Sequence, residues 1–213
     1  ESQSGWLIEG SIDICDPEGN YYDSFEITIL VPDTYPHCIP TVREISDKLD
    51  KRGNWHFNRD ESCCLDIYHR LLREGKPGIH ILTFVKDKVY PYFANQVYRL
   101  KEGKYANGEF MHNEMGNIQF YLEDLKFPSL FIATKTLSLI LDRKRIINKK
   151  CFCGSTRSLK KCHISTYYFL ASLPRIILID DFMTFWKILI KTDNPIDKSL
   201  FDQMGSLYYS LMR

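Results

Sequence analysis

Strands come first in this chain and helices follow, and that order limits its fold more than any other feature. Trp6, Ile8, Ile12 and Ile14 share one face of an alternating segment, with Glu9 and Asp13 on the other, the period-2 pattern of a half-buried strand. The run Asp16-Pro17-Glu18-Gly19-Asn20 is a turn, because Pro presets φ and Gly accepts a positive φ. Alternation resumes with Phe25, Ile27, Ile29 and Val31, so the two segments predict a hairpin or meander. Tyr35, Pro36 and Pro40 break the second strand, and Thr41 to Ile45 reads as a short third. From Ile79 to Leu100 the period changes: Leu82, Phe84, Val85, Val89, Phe93 and Val97 recur at helical spacing. This predicts one long helix, kinked before Pro91. Further helices are expected over Ile118–Leu125, Ser129–Ile147 (with Arg143-Lys144-Arg145 at its end), Asp181–Ile190 and Lys198–Met212. The order is that of an α+β protein.

A chain of 213 residues fits one ordinary domain plus an extension, or two small domains, and a 44% hydrophobic content supplies a core. The formal charge of +1 gives no bulk reason to expect a nucleic-acid partner. No apolar run is long enough to span a bilayer, so no membrane is expected as a partner. Five of the seven cysteines fall in an adjacent pair and a short cluster, not spread as in a disulfide framework, which favours metal binding or catalysis in a reducing compartment and a cytoplasmic location.

The segment from His56 to Ile67 holds His56, Asn58, Cys63, Cys64 and Asp66 with no convincing period. A thiol in an irregular segment is a plausible nucleophile, and a nearby Asn amide can serve an oxyanion. Taken singly, each has a plainer reading: a buried core cysteine, a structural histidine, a turn-forming asparagine.

Together and in order, the strands, Tyr35-Pro36 with Pro40, His56-Phe57-Asn58, Cys64-Leu65-Asp66 and the long helix resemble the ubiquitin-conjugating enzymes over roughly residues 6 to 125. The resemblance implies an antiparallel four-stranded meander with the long helix crossing it. It also implies that Cys64 accepts the carboxyl end of a ubiquitin-like modifier as a thioester, after an activating enzyme. Asn58 would support the oxyanion or fix the loop beside it, His56 would be structural, and Asp66 would belong to the site. Cys63 has no assigned role. Phe57 stands where the family has Pro, the Asn58-to-Cys64 gap is two residues shorter than in eukaryotic members, and the family's N-terminal helix falls outside these residues. These departures look like a divergent prokaryotic branch, in which the block Gly103–Glu109 followed by His112 is also recognisable. That loop would lie near the cysteine, with His112 in proton transfer.

Cys151, Cys153, Cys162 and His163 form the second motif. Three Cys and one His make a closed tetrahedral set for structural Zn²⁺. Gly154 permits the tight turn between ligands, and the neighbouring lysines favour thiolates. The spacing resembles the SEC-C motif, with Thr156 where a Gly is usual, and that resemblance implies contacts with other proteins, such as products of neighbouring genes. The expected layout is a catalytic domain over 1–126 and a helical extension over 127–213, with the zinc motif at about 150–164. The expected function is conjugation of a ubiquitin-like protein in a bacterial, antiphage-type pathway. The alternatives are an inactive binding module of the same fold and, less well supported, a cysteine hydrolase.

Overall fold

Three antiparallel strands open the chain: β1 (Gly5–Cys15), β2 (Tyr21–Pro32) and β3 (Thr41–Glu44), in the order β1-β2-β3. The computed structural model describes residues 4–51, 55–106, 114–191 and 198–212. The chain divides into two compact units, 1–112 and 113–213. The β1–β2 register places Trp6 opposite Val31, Ile8 opposite Ile29 and Ile12 opposite Phe25. Phe25, Ile27, Ile29 and Val31 are buried, as their alternation predicts. In β1 only the far end of the apolar face is covered: Ile14 is 3% exposed and Trp6 78%. The covering helix reaches β1 at that end, where the Tyr90 hydroxyl donates to the Cys15 carbonyl at 2.7 Å.

After β3 come α1 (Tyr68–Gly75) and then one continuous helical run: α2 (Ile81–Phe84), a π-helical turn (Val85–Val89) and α3 (Tyr90–Glu102). Pro91 explains the wide turn. It has no N–H to donate and its ring crowds the carbonyl four residues back. The ladder widens beside it, with the Tyr90 amide reaching the Val85 carbonyl. Phe93 of α3 lies 4.9 Å from Phe25 of β2 between ring centroids, at the centre of this unit's core.

The protein is α+β, but the expected four-stranded meander is not reached: the described residues form a three-stranded sheet. Beyond β3 a single amide meets the edge, Cys63 N donating to Val42 O at 2.8 Å. The segment cannot run on as a strand, because His56 and Glu61 take left-handed φ of 56° and 63°. It folds back instead, with Phe57 bridged to Cys63 and Asn58 N donating to Ser62 O at 2.8 Å.

The second unit is helical: α4 (Glu114–Gln119) leading into a π-helical turn (Phe120–Asp124), then α5 (Leu130–Leu141), α6 (Ile164–Ala171), α7 (Arg175–Leu189) and α8 (Lys198–Leu211). Residues 114–124, near the end of the segment that carries the resemblance, thus lie in this unit. Its core includes Leu137, Leu170, Phe182 and Phe185, and the buried Tyr121 hydroxyl donates to Asp181 at 2.8 Å. Helix α5 starts where Ser129 accepts from the Ile132 amide. It stops at Leu141, earlier than its apolar period suggests, because Arg143 turns left-handed with φ 55°. Arg143 N then donates to Ile140 O at 2.9 Å and Lys144 N to Leu139 O at 2.8 Å, the two bonds of a Schellman C-cap. The run Arg143-Lys144-Arg145 therefore lies past the helix. Among the described residues no helix is long and apolar enough to cross a membrane.

Candidate functional site

The fold-back at Phe57–Cys63 sends the two adjacent cysteines into different surroundings. Cys63 is 5% exposed and packs into the core with Val42, Val89 and Phe93. Burial pushes its thiol up to about 12. Cys64 is half-buried, and its amide donates to the His56 carbonyl at 2.7 Å. Burial and then the negative charge of Asp66 raise its thiol as well.

The other expected site residues hold this turn in shape. His56 contributes its carbonyl, while its ring meets Tyr105 edge-on at 4.7 Å. The start of the Gly103–Glu109 loop is therefore tied to the cysteine turn through Tyr105. His112 lies outside the described residues. The Asn58 amide donates to the Ser62 hydroxyl at 2.9 Å, and Ser62 donates to Asp60 at 2.6 Å. Asp66 receives Lys88 Nζ at 2.7 Å and the Ile67 amide at 2.7 Å, with Arg70 at 3.7 Å. Lys88 also binds Glu74 at 2.9 Å. Burial alone would lower the Lys88 pKa, but bonds to the two carboxylates turn the net shift upward.

Three residues that the sequence reading left unassigned anchor the turn from the long helix. Lys88, Tyr92 and Gln96 stand at i, i+4 and i+8, so they share a face. Lys88 takes Asp66, the Tyr92 hydroxyl lies 3.1 Å from the Trp55 carbonyl and 3.2 Å from that of His56, and Gln96 donates to Trp55 O at 3.1 Å. The signal was a polar stripe inside an apolar period, with Gln96 only 1% exposed.

In the second unit, Cys151, Cys153, Cys162 and His163 bring one ligand atom each within 4.8 Å of one another. Cys151 Sγ and Cys162 Sγ each lie 3.2 Å from His163 Nδ1, and Cys153 Sγ lies 3.6 Å from Cys162 Sγ. A tetrahedral Zn²⁺ with the usual bond lengths needs roughly 3.5–3.8 Å between ligand atoms, so the set fits a small metal ion with little movement. Gly154 makes the turn at φ 81°. Hydrogen bonds from Ser155 pull the Cys153 thiol down to about 6, while burial pushes that of Cys151 up to about 11. Phe152 stacks on Phe127 at 4.2 Å and against His163 at 4.9 Å, which walls one side of the cluster.

Comparison of the chain with family models, with curated proteins and with solved structures returns no match in any of the three.

Proposed function

We propose that the first unit is an acyl-carrier enzyme of the ubiquitin-conjugating type, with Cys64 as the carrier. The observation that supports this best is the contrast within one dipeptide: Cys63 is sealed in the core, whereas Cys64 is half-buried on a turn held by the His56 carbonyl. A raised thiol pKa suits a carrier. A thiolate of higher pKa leaves more slowly, so its thioester resists loss of the acyl group. In loading, the Cys64 thiolate attacks the modifier's thioester carbonyl on an activating enzyme. The new C–S bond forms as the old one breaks, and the departing thiolate takes a proton. In transfer, an acceptor amine attacks the same carbonyl, the amide forms, and Cys64 leaves as thiolate and recovers the amine's proton.

The same proposal makes the Cys/His cluster a structural Zn²⁺ site that serves contacts with other proteins, and places the chain in a reducing compartment such as the cytoplasm, in a bacterial antiphage-type pathway. All seven cysteines are free thiols, which accords with that placement. A non-catalytic module that only holds a ubiquitin-like protein is the alternative, favoured by one detail: the Asn58 amide is engaged by Ser62. Incubation with an activating enzyme, ATP and a ubiquitin-like protein separates the two. The carrier reading expects an adduct cleaved by thiols, lost in Cys64→Ala and kept in Cys63→Ala. An adduct that needs Cys63 means the register is wrong, and binding without any adduct leaves the module.

A further inference from the structure

Between Arg143 and Lys161 the chain carries eight Lys or Arg and no Asp or Glu, so the near-neutral total conceals a local excess: the rest of the sequence has 20 basic and 27 acidic residues. Arg143, Lys144 and Arg145 follow the cap of α5, and Lys149 and Lys150 come four residues later. Arg157, Lys160 and Lys161 return beside them. Cys151 N donates to Arg157 O, Leu159 N to Lys149 O and Lys160 N to Ile147 O, all within 3.0 Å. One small core of Ile146, Cys151 and Leu159 underlies all three runs. All eight side chains are exposed, and among the described residues none has an ion-pair partner.

Helix-end cations account for part of the first run, since positive charge is favoured at a helix C-terminus. They do not account for five more charges beyond it. Eight like charges on one small unit repel one another, and that arrangement suits a polyanion.

We infer that this face binds the phosphate backbone of nucleic acid without reading bases. Every exposed residue from 143 to 161 is Lys, Arg, Asn, Thr or Gly. The exposed residues of this segment therefore offer no apolar anchor for a membrane surface and no apolar centre for a protein interface, so the contacts with other proteins proposed for the zinc unit would use residues outside it. Phe152, the aromatic of the segment, is already stacked between Phe127 and His163, so no ring is offered for base stacking. What remains is charge against phosphate, which requires no apolar contact. This inference is independent of Cys64 chemistry, and neither stands or falls with the other.

The test is fluorescence anisotropy of the full chain with a labelled duplex DNA of about 20 base pairs, in two unrelated sequences, titrated with salt. Binding in roughly the micromolar range is expected, equal for the two sequences, with affinity falling steeply as salt rises. Replacing Lys149, Lys150, Lys160 and Lys161 by Gln should weaken binding at least tenfold and flatten the log–log salt slope by up to about 3.6. Replacing Arg143, Lys144 and Arg145 by Gln tests the other run and should also weaken binding. Neutralising Lys86, Lys126, Lys187 and Lys191, exposed residues outside the segment, should leave it unchanged. Circular dichroism and bound-zinc content confirm that each variant is folded. No binding to DNA at low salt overturns the inference. So does equal loss in the control variant, or tighter binding to phosphatidylserine vesicles or to polyglutamate than to DNA.

Discussion

The Asp66 carboxylate accepts a hydrogen bond from Lys88 at 2.7 Å, which ties the residue two places after Cys64 to the π-helical turn of the long helix. Burial raises the Cys64 thiol pKa first, and the negative charge of the same carboxylate raises it further. Asp66→Asn removes that charge while preserving the side chain's shape. The Cys64 thiol should then ionise at lower pH, so the pH profile of its alkylation, read by mass mapping of the Cys64 peptide, shifts toward acid. Burial persists, so the midpoint should stay above that of an unperturbed thiol. An unchanged profile, or a shift toward alkaline pH, contradicts the assignment of Asp66 as a perturber.

Cys63 makes a stability prediction. Its thiol lies near 12 in the folded chain against an ordinary 9.0. The unfolded chain loses this proton first, so the stability contribution is fully present below pH 9 and is lost as pH rises toward 12. Over that window the difference amounts to about 4 kcal/mol. Denaturant midpoints should fall with rising pH above 9, and Cys63→Ala should flatten that fall, apart from a fixed packing cost of about 1 kcal/mol. Equal slopes in the two proteins would rule the mechanism out.

How much of this was legible depended on the distance over which each feature is determined. The alternation in β2 identified the buried face because each residue's facing follows from its neighbour's. The Cys/His cluster was legible for a similar reason: Cys151 and His163 are close in sequence, with the Gly154 turn between them. The Asp66–Lys88 bond joins residues 22 apart, and nothing local marks it. The end of α5 was hidden differently. A left-handed C-cap usually announces itself as Gly or Asn, and here the residue is Arg143. The fourth strand was expected from resemblance alone, and the left-handed φ of His56 and Glu61 has no glycine signature either.

Arg143 gives the next prediction. Left-handed backbone costs an ordinary L residue roughly 1 kcal/mol and glycine little. The bonds that close the cap come from backbone amides and do not need the side chain. Arg143→Gly should therefore raise the unfolding free energy of the second unit by up to about 1 kcal/mol, read by chemical denaturation, less a few tenths lost with the helix-end cation. A loss of stability would mean that the guanidinium does more than terminate the helix.

The metal cluster is expected to behave as a folding element. The four ligand atoms converge in a segment with a very small core of its own, so the ion should supply much of its order. Cys153→Ser should lower bound zinc, measured by elemental analysis, and raise amide exchange across residues 146–163. Chelation of the unmodified protein should do the same. Protein purified without chelators and found free of zinc would refute the assignment of the metal.

Tyr92 is predicted to position Cys64 without contacting the modifier. Its hydroxyl is shared between the carbonyls of Trp55 and His56. The His56 carbonyl in turn holds the Cys64 amide. Tyr92→Phe keeps the ring that packs on Phe93 at 5.0 Å and removes only the hydroxyl. The two half-buried carbonyls keep Gln96 and Cys64 as donors and lose only the shared hydroxyl, which should cost about 0.5–1.5 kcal/mol. A purely structural role predicts that loss and nothing more. A positioning role predicts in addition that Cys64 amide exchange rises more than that of core β2 amides. It also predicts that the Cys64 alkylation rate at fixed pH changes. If Cys64 exchange and alkylation match the unmodified protein in a chain that is simply less stable, Tyr92 is a core residue and not a positioning one.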